Sequence, residues 1–262
     1  MTKQLILERK GRVLVATNND PATRNALSGE FYDGFREAVE AASADSEIGA
    51  IVLTGAAGFF CSGGNIHGLK ERARADYPTR RSGVERLHAM ILAMRACPKP
   101  IIAAVDGGAA GAGASLAAAC DLVVAEREAY FSVAYIKIGL TPDGGATAFL
   151  GAALPRQLMA EMVFTGDRIP VERLYGLGMI NRLTEPGQSL AVALELAARL
   201  ADGPAAALAV GKRLIDQARL NTLKDQLELE AEGIATALGG PEGREGIAAF
   251  LEKRKPDFRN LK

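Results

Sequence analysis

The segment Ile101-Ile102-Ala103-Ala104-Val105 is apolar at every position, and Asp106-Gly107-Gly108-Ala109-Ala110-Gly111-Ala112-Gly113-Ala114-Ser115 follows it at once. Successive side chains of a strand point to opposite faces, so a strand without a polar position has to be covered on both. The small residues behind it allow backbones or a ligand to come close, first through a turn and then along a helix predicted over about Gly113–Cys120. A segment of this kind belongs to a layered α/β fold, with its sheet held between other elements.

Neighbouring segments fit that frame. Leu5–Glu8 and Val13–Thr17 read as a hairpin about Lys10-Gly11, and Ala50–Thr54 as a buried strand ended by Gly55. Further strands are expected at Leu122–Val124 and Phe131–Val133. Ser28 through Ala42 places Phe31, Phe35, Ala38, Val39 and Ala42 on one helical stripe, with Ser28 as cap and Glu30 in the first turn. Other helices are predicted at Val84–Arg95, stopped by Pro98, and at Gly145–Leu150, Arg156–Phe164 and Val171–Leu177, the last with Pro170 at its start. The charged stretch from about Lys70 to Ser82, which carries Pro78, reads as a mobile loop. From Ser189 onward the pattern is almost wholly helical, broken at Gly203-Pro204 and Gly239-Gly240-Pro241. The expected division is an α/β core over 1–200 and a helical appendage over 201–262.

Charge and cysteine usage narrow the function. The 262 residues carry 31 Lys+Arg against 31 Asp+Glu, which gives no electrostatic reason to expect a nucleic acid or an anionic membrane as partner. The apolar runs are shorter than the ~20 residues that span a bilayer. The opening Met1–Arg9 shows no signal-peptide pattern. Cys61, Cys97 and Cys120 are widely spaced and odd in number, so they read as buried thiols rather than a disulfide framework or zinc site, and no metal is expected. The expected location is the cytoplasm.

Two clusters of small residues are candidates for chemistry: Phe59-Phe60-Cys61-Ser62-Gly63-Gly64-Asn65 and the turn after Val105. Unpaired amides at such a turn can hold a phosphate or a developing oxyanion, while a tight turn with close helix packing needs the same residues. The glycines at 108, 111 and 113 reverse the usual dinucleotide-binding order, and no Gly-Lys-Ser/Thr follows to make a P-loop.

Taken in order, several motifs resemble the enoyl-CoA hydratase/isomerase (crotonase) superfamily. They are Arg24-Asn25-Ala26-Leu27, Phe60 to Asn65, Lys99 to Gly107 with Ala119 to Leu122, Gly139 to Gly145, and Thr165-Gly166-Asp167-Arg168-Ile169. The resemblance extends over nearly the whole chain. It implies a spiral of ββα units with a C-terminal helical region that assembles homotrimers or dimers of trimers. It also implies an acyl-CoA thioester substrate and no cofactor beyond the coenzyme A moiety. Carried over by position, the N–H groups of Gly64 and Ala112 form an oxyanion hole, Ala112 standing where glycine is usual. Arg24 is a candidate contact to the CoA phosphates or an ordinary solvated arginine. Ser62, Asn65, Ser115 and Tyr135 complete the candidate substrate contacts.

The departures from the family pattern decide the expected chemistry. Water-adding members use two glutamates, and here Ser115 and Tyr135 occupy those positions. Neither can serve in a carboxylate acid/base pair. Asp143, in Thr141-Pro142-Asp143-Gly144-Gly145, matches the position from which double-bond isomerases present one carboxylate. It is also a possible helix N-cap. Ser115 as a nucleophile lacks the nucleophile-elbow pattern, and otherwise caps or packs the helix start. Tyr135 either bonds substrate or lines the pocket, and His67 reads as surface or pocket lining. The resulting expectation is an isomerase that converts 3-enoyl-CoA to 2-enoyl-CoA. The alternatives are a hydratase, a thioester hydrolase or dehalogenase, and a non-catalytic CoA-ester binder.

Overall fold

The computed structural model describes residues 4–261. Residues 1–3 of the predicted opening segment lie outside them. The strands are β1 (Leu5–Lys10), β2 (Val13–Asn18), β3 (Ala50–Gly55), β4 (Ile101–Val105), β5 (Gly108–Ala110), β6 (Leu122–Glu126), β7 (Tyr130–Ser132), β8 (Ile169–Pro170) and β9 (Arg182–Thr184). The helices of the first two-thirds are α1 (Gly29–Ala44), α2 (Ile66–Arg72), α3 (Tyr77–Ala96), α4 (Ala112–Ala119), α5 (Ala146–Ala153), α6 (Arg156–Thr165) and α7 (Val171–Gly176). Four more close the chain: α8 (Ser189–Ala201), α9 (Ala205–Gln217), α10 (Leu223–Gly239) and α11 (Pro241–Leu251).

Six strands form one sheet in the order β1-β2-β3-β4-β6-β9. Only the β1–β2 hairpin is antiparallel; the remaining pairs are parallel and are reached by crossovers through helices. A smaller sheet, β5-β7-β8, sits beside it. The apolar character of β4 follows directly. Ile101, Ala103 and Val105 join Ile51, Leu53, Val123 and Ala125 in the larger core, with residues of α1, α3 and α4. Ile102 and Ala104 face the other way, with Val13, Val15, Val52 and Val124, against Ala193, Leu196, Ala197 and Ala201 of α8. Truncating a side chain as enclosed as Leu53 to alanine costs about 2–5 kcal/mol.

The stretch read as a mobile loop is helical except for residues 73–76. Asp76 caps α3 by accepting from Thr79 N–H at 3.1 Å, and Pro78 lies in the first turn, where a missing N–H costs no helical bond. Its charges belong to the solvent face of a helix that buries Leu87, Met90, Ile91 and Met94. An unforeseen break separates α9 from α10, where the Thr222 hydroxyl accepts from Asp225 N–H.

Helix α9 is tied to the core by a charge network. Arg95 bonds Asp121 at 2.9 Å and also pairs with Asp216, and Lys212 bonds Asp121 at 2.8 Å. All three cysteines are free and buried. No helix among the described residues is long and apolar enough to cross a membrane.

Candidate active site

The two glycine-containing turns lie against each other. Residues 60–65 run between two flanking segments: Phe60 N–H donates to Asp106 O and Ala110 N–H to Cys61 O, both at 2.9 Å, while Leu27 N–H donates to Gly63 O at 2.7 Å. Gly63 has φ +105, and a Cβ there would fall 2.9 Å from Ala110 O and 3.5 Å from Ala112 N. A Cβ on Gly113 would fall 2.6 Å from Cys61 O. Backbone therefore touches backbone, and side chains at these positions would force the turns apart.

The contact leaves two donors unused. Pairing of Leu27 with Gly64 goes through Gly63 O and Asn65 N–H, so Gly64 keeps its own N–H. Ala112 is the first residue of α4, where an amide has no intrahelical partner. Neither N–H has an acceptor among the described residues.

Ser62 and Asn65 are occupied differently from the expected substrate contacts. Ser62 Oγ donates to Thr23 O at 2.7 Å, and Asn65 Oδ1 accepts from His67 N–H and Gly68 N–H as the cap of α2. Both side chains hold the turn in shape.

Beyond the paired turns, Ser115, Tyr135 and Asp143 form a cluster. Ser115 is fully buried in the first turn of α4, and its Oγ–H donates to the Asp143 carbonyl at 2.9 Å. Tyr135, also buried, donates its Oη–H to Asp143 Oδ1 at 2.8 Å. The two hydroxyl oxygens are 3.1 Å apart. Asp143 does not cap a helix. Gly145, at φ +81, takes the cap position of α5 with no side-chain bond, and the Asp143 carboxylate turns toward Tyr135. Ser115 is neither a cap nor simple packing, because it fixes the backbone that carries Asp143. Among the described residues Oδ2 of Asp143 accepts no hydrogen bond, yet it is not sealed from solvent.

Burial holds the Asp143 carboxyl above the ordinary carboxylate range, opposed by the Tyr135 hydrogen bond and by the charges of His88 and Arg72. Burial and the Asp143 charge together push the Tyr135 phenol up, so it remains a donor. The same two causes raise Tyr32. Burial pushes the Cys61 thiol up to about 12, which leaves it inert beside the turn.

Two cavities flank these residues. One, of about 330 Å³, is lined by Arg24, Arg168, Phe59 and Tyr130 among others. The Arg24 guanidinium lies 5.6 Å from the Phe59 ring centre and that of Arg168 lies 4.4 Å from the Tyr130 ring centre. Among the described residues neither arginine has an acidic partner. The other cavity, of about 410 Å³, is lined by Tyr32, Asn65, His67, Arg72 and Arg86 among others. Tyr32, Arg72, His88 and the stacked Arg168 were not among the residues singled out from the sequence. Arg168 lay within a quoted motif, but nothing local marks the other three. Among the described residues no three His, Cys, Asp or Glu side chains gather as metal ligands.

The arrangement offers an unbonded carboxylate oxygen, held where its pKa is raised, and two unused amides at a backbone contact. It suits chemistry at carbon next to a carbonyl. A family model described as enoyl-CoA hydratase/isomerase matches residues 8–261. The chain is 36% identical to the 2,3-dehydroadipyl-CoA hydratase of Escherichia coli K12, covering 98% of each chain. It is 34% identical to the 1,2-epoxyphenylacetyl-CoA isomerase of the same organism, covering 94% of each. A crystal structure of an enoyl-CoA hydratase from Polaromonas sp. JS666 superposes with a TM-score of 0.95 at 42% identity, over 97% of this chain and 99% of that one. With fold, turns and sequence in agreement along nearly its whole length, the chain belongs to the enoyl-CoA hydratase/isomerase family of acyl-CoA-processing enzymes.

Proposed function

We propose that the protein moves the double bond of an unsaturated acyl-CoA thioester from the 3- to the 2-position, with Asp143 as the only catalytic carboxylate. The observation that carries this reading is the set of groups acting on Asp143. Ser115 and Tyr135 hold it, and His88 and Arg72 act on its charge, but among the described residues no second carboxylate bonds it or acts on it.

Oδ2 of Asp143 takes a C2 proton from the 3-enoyl thioester. The electron pair delocalises through the former C3–C4 double bond and onto the thioester oxygen. The N–H groups of Gly64 and Ala112 donate to that oxygen as negative charge develops, a contribution of about 3 kcal/mol per donor. The same carboxyl returns the proton at C4, leaving the double bond between C2 and C3. A raised carboxyl pKa brings proton removal and return closer in energy. Tyr135 and Ser115 keep the carboxylate in register. Arg24 and Arg168 serve the CoA phosphates, and no group beyond the substrate's coenzyme A is required. Homotrimers, or pairs of them, are supported by the apolar side chains exposed on the C-terminal helices, including Ile215, Leu223 and Phe250.

A hydratase reading has support in the printed names of several relatives. It needs a second acid/base, and the candidate is His88, whose charge acts on Asp143. Parallel assays of 3-hexenoyl-CoA and crotonyl-CoA separate the two. Conversion of the first without hydration of the second is the expected result; rapid hydration of crotonyl-CoA overturns the isomerase reading.

A further inference from the structure

The two arginines of the 410 Å³ cavity differ in one respect. Arg86 is neutralised: it pairs with Asp33 and donates to Gly29 O at 2.8 Å. Arg72, the last residue of α2, has no hydrogen bond and no ion pair for its guanidinium among the described residues. Glu71, the acid lining the same cavity, does not pair with it.

The fold makes room for this unpaired cation. A Cβ on Gly83 would fall 2.5 Å from Arg72 Nη1, so the guanidinium rests where a larger residue of α3 would put its side chain. Glycine inside a helix costs about 0.5–1 kcal/mol relative to alanine. The cavity also holds the Tyr32 phenol, which has no hydrogen-bond partner among the described residues and is not sealed from solvent. Arg72 acts electrostatically on both Tyr32 and Asp143, which brings the cavity within range of the carboxylate assigned to proton transfer. Arg24 and Arg168 line a cavity that shares no residue with this one, and neither acts on Asp143.

A partly buried guanidinium that no carboxylate pairs among the described residues, beside a phenol whose O–H has no partner among them, is a receptor for a carboxylate. We propose that Arg72, with Tyr32, binds an anionic group at the far end of the acyl chain, so that the preferred substrates are mono-CoA thioesters of dicarboxylic acids. The inference rests on the acyl-CoA reading above but not on the isomerase step, and binding alone tests it.

The probes are saturated and therefore inert: adipyl-CoA against hexanoyl-CoA, suberyl-CoA against octanoyl-CoA, and free CoA. Isothermal titration of the intact enzyme should show, in at least one pair, about tenfold tighter binding of the dicarboxylic thioester. Arg72→Gln should erase that preference while leaving the monocarboxylic thioesters and CoA unchanged, and Arg72→Lys should keep part of it. Equal affinities within both pairs in the unaltered enzyme overturn the proposal without reference to any variant. Equal weakening of all ligands, CoA included, by Arg72→Gln also overturns it and assigns Arg72 to the CoA phosphates or to the fold. Binding as expected without conversion of 3-hexenoyl-CoA or its dicarboxylic counterpart would sink the isomerase reading and leave this one standing.

Discussion

Two clusters of polar side chains lie inside this protein, and they are built on opposite rules. In the Arg95–Asp121–Lys212–Asp216 network every charge faces a counter-charge, and each ion pair links elements distant in sequence. In the Ser115–Tyr135–Asp143 cluster the carboxylate bonds a single neutral hydroxyl, that of Tyr135, while Ser115 holds the Asp143 carbonyl, and one carboxylate oxygen is left over. A balanced network holds α9 against the core. An unbalanced carboxylate costs stability and serves chemistry. The same contrast separates Arg86, paired with Asp33, from Arg72.

The largest expected effect comes from removing the unbalanced charge. Asp143→Asn should lower kcat for a 3-enoyl thioester by about 10²–10⁴-fold while acyl-CoA binding persists. It should also raise the denaturation midpoint at neutral pH. The folded-state pKa of Asp143 lies above its unfolded value, so the favourable contribution of its neutral form is present below the unfolded pKa and lost as pH rises through the folded one. Asparagine never acquires the charge, and its advantage shrinks on acidification. A variant that loses activity and stability together would place Asp143 with the structural cluster instead.

Next in size is Ala112→Pro, which removes one donor at a helix position where proline is tolerated. Steady-state kinetics should show kcat lower by about 10²–10³-fold with the far-UV spectrum unchanged. Arg95→Ala should do the reverse. It leaves Asp216 without its partner and costs about 3 kcal/mol in a denaturant titration, while kcat per folded molecule stays the same. The smallest effect belongs to Tyr135→Phe. Asp143 must be ionised to take a proton, so kcat/KM falls as pH drops through its raised pKa. Loss of the Tyr135 hydrogen bond raises that pKa further, and the acid limb should move to higher pH, with kcat at neutral pH changed by less than about tenfold.

How far these regions were legible in the sequence follows the same division. The apolar β4, the small-residue turns up to Ser115 and the Pro-Asp-Gly turn of Asp143 lie in short continuous motifs, and Ser115 and Tyr135 are marked by standing where the family pattern has glutamates. Their geometry added what a motif cannot carry: the carboxylate of Asp143 turns from its helix to Tyr135, and Ser115 fixes its backbone. Arg72, Tyr32 and His88 belong to α2, α1 and α3, and only the packing of those helices against the site brings them within range of Asp143. The 70–82 stretch misled because its charges and Pro78 look like a loop, whereas the Asp76 cap makes the proline a helix start.

The most direct measurement follows isomerisation of 3-hexenoyl-CoA by the enzyme and by Asp143→Asn, with crotonyl-CoA assayed alongside. The account predicts conversion that collapses in the variant and little hydration by either protein. Undiminished conversion in Asp143→Asn, or rapid hydration of crotonyl-CoA, would contradict it.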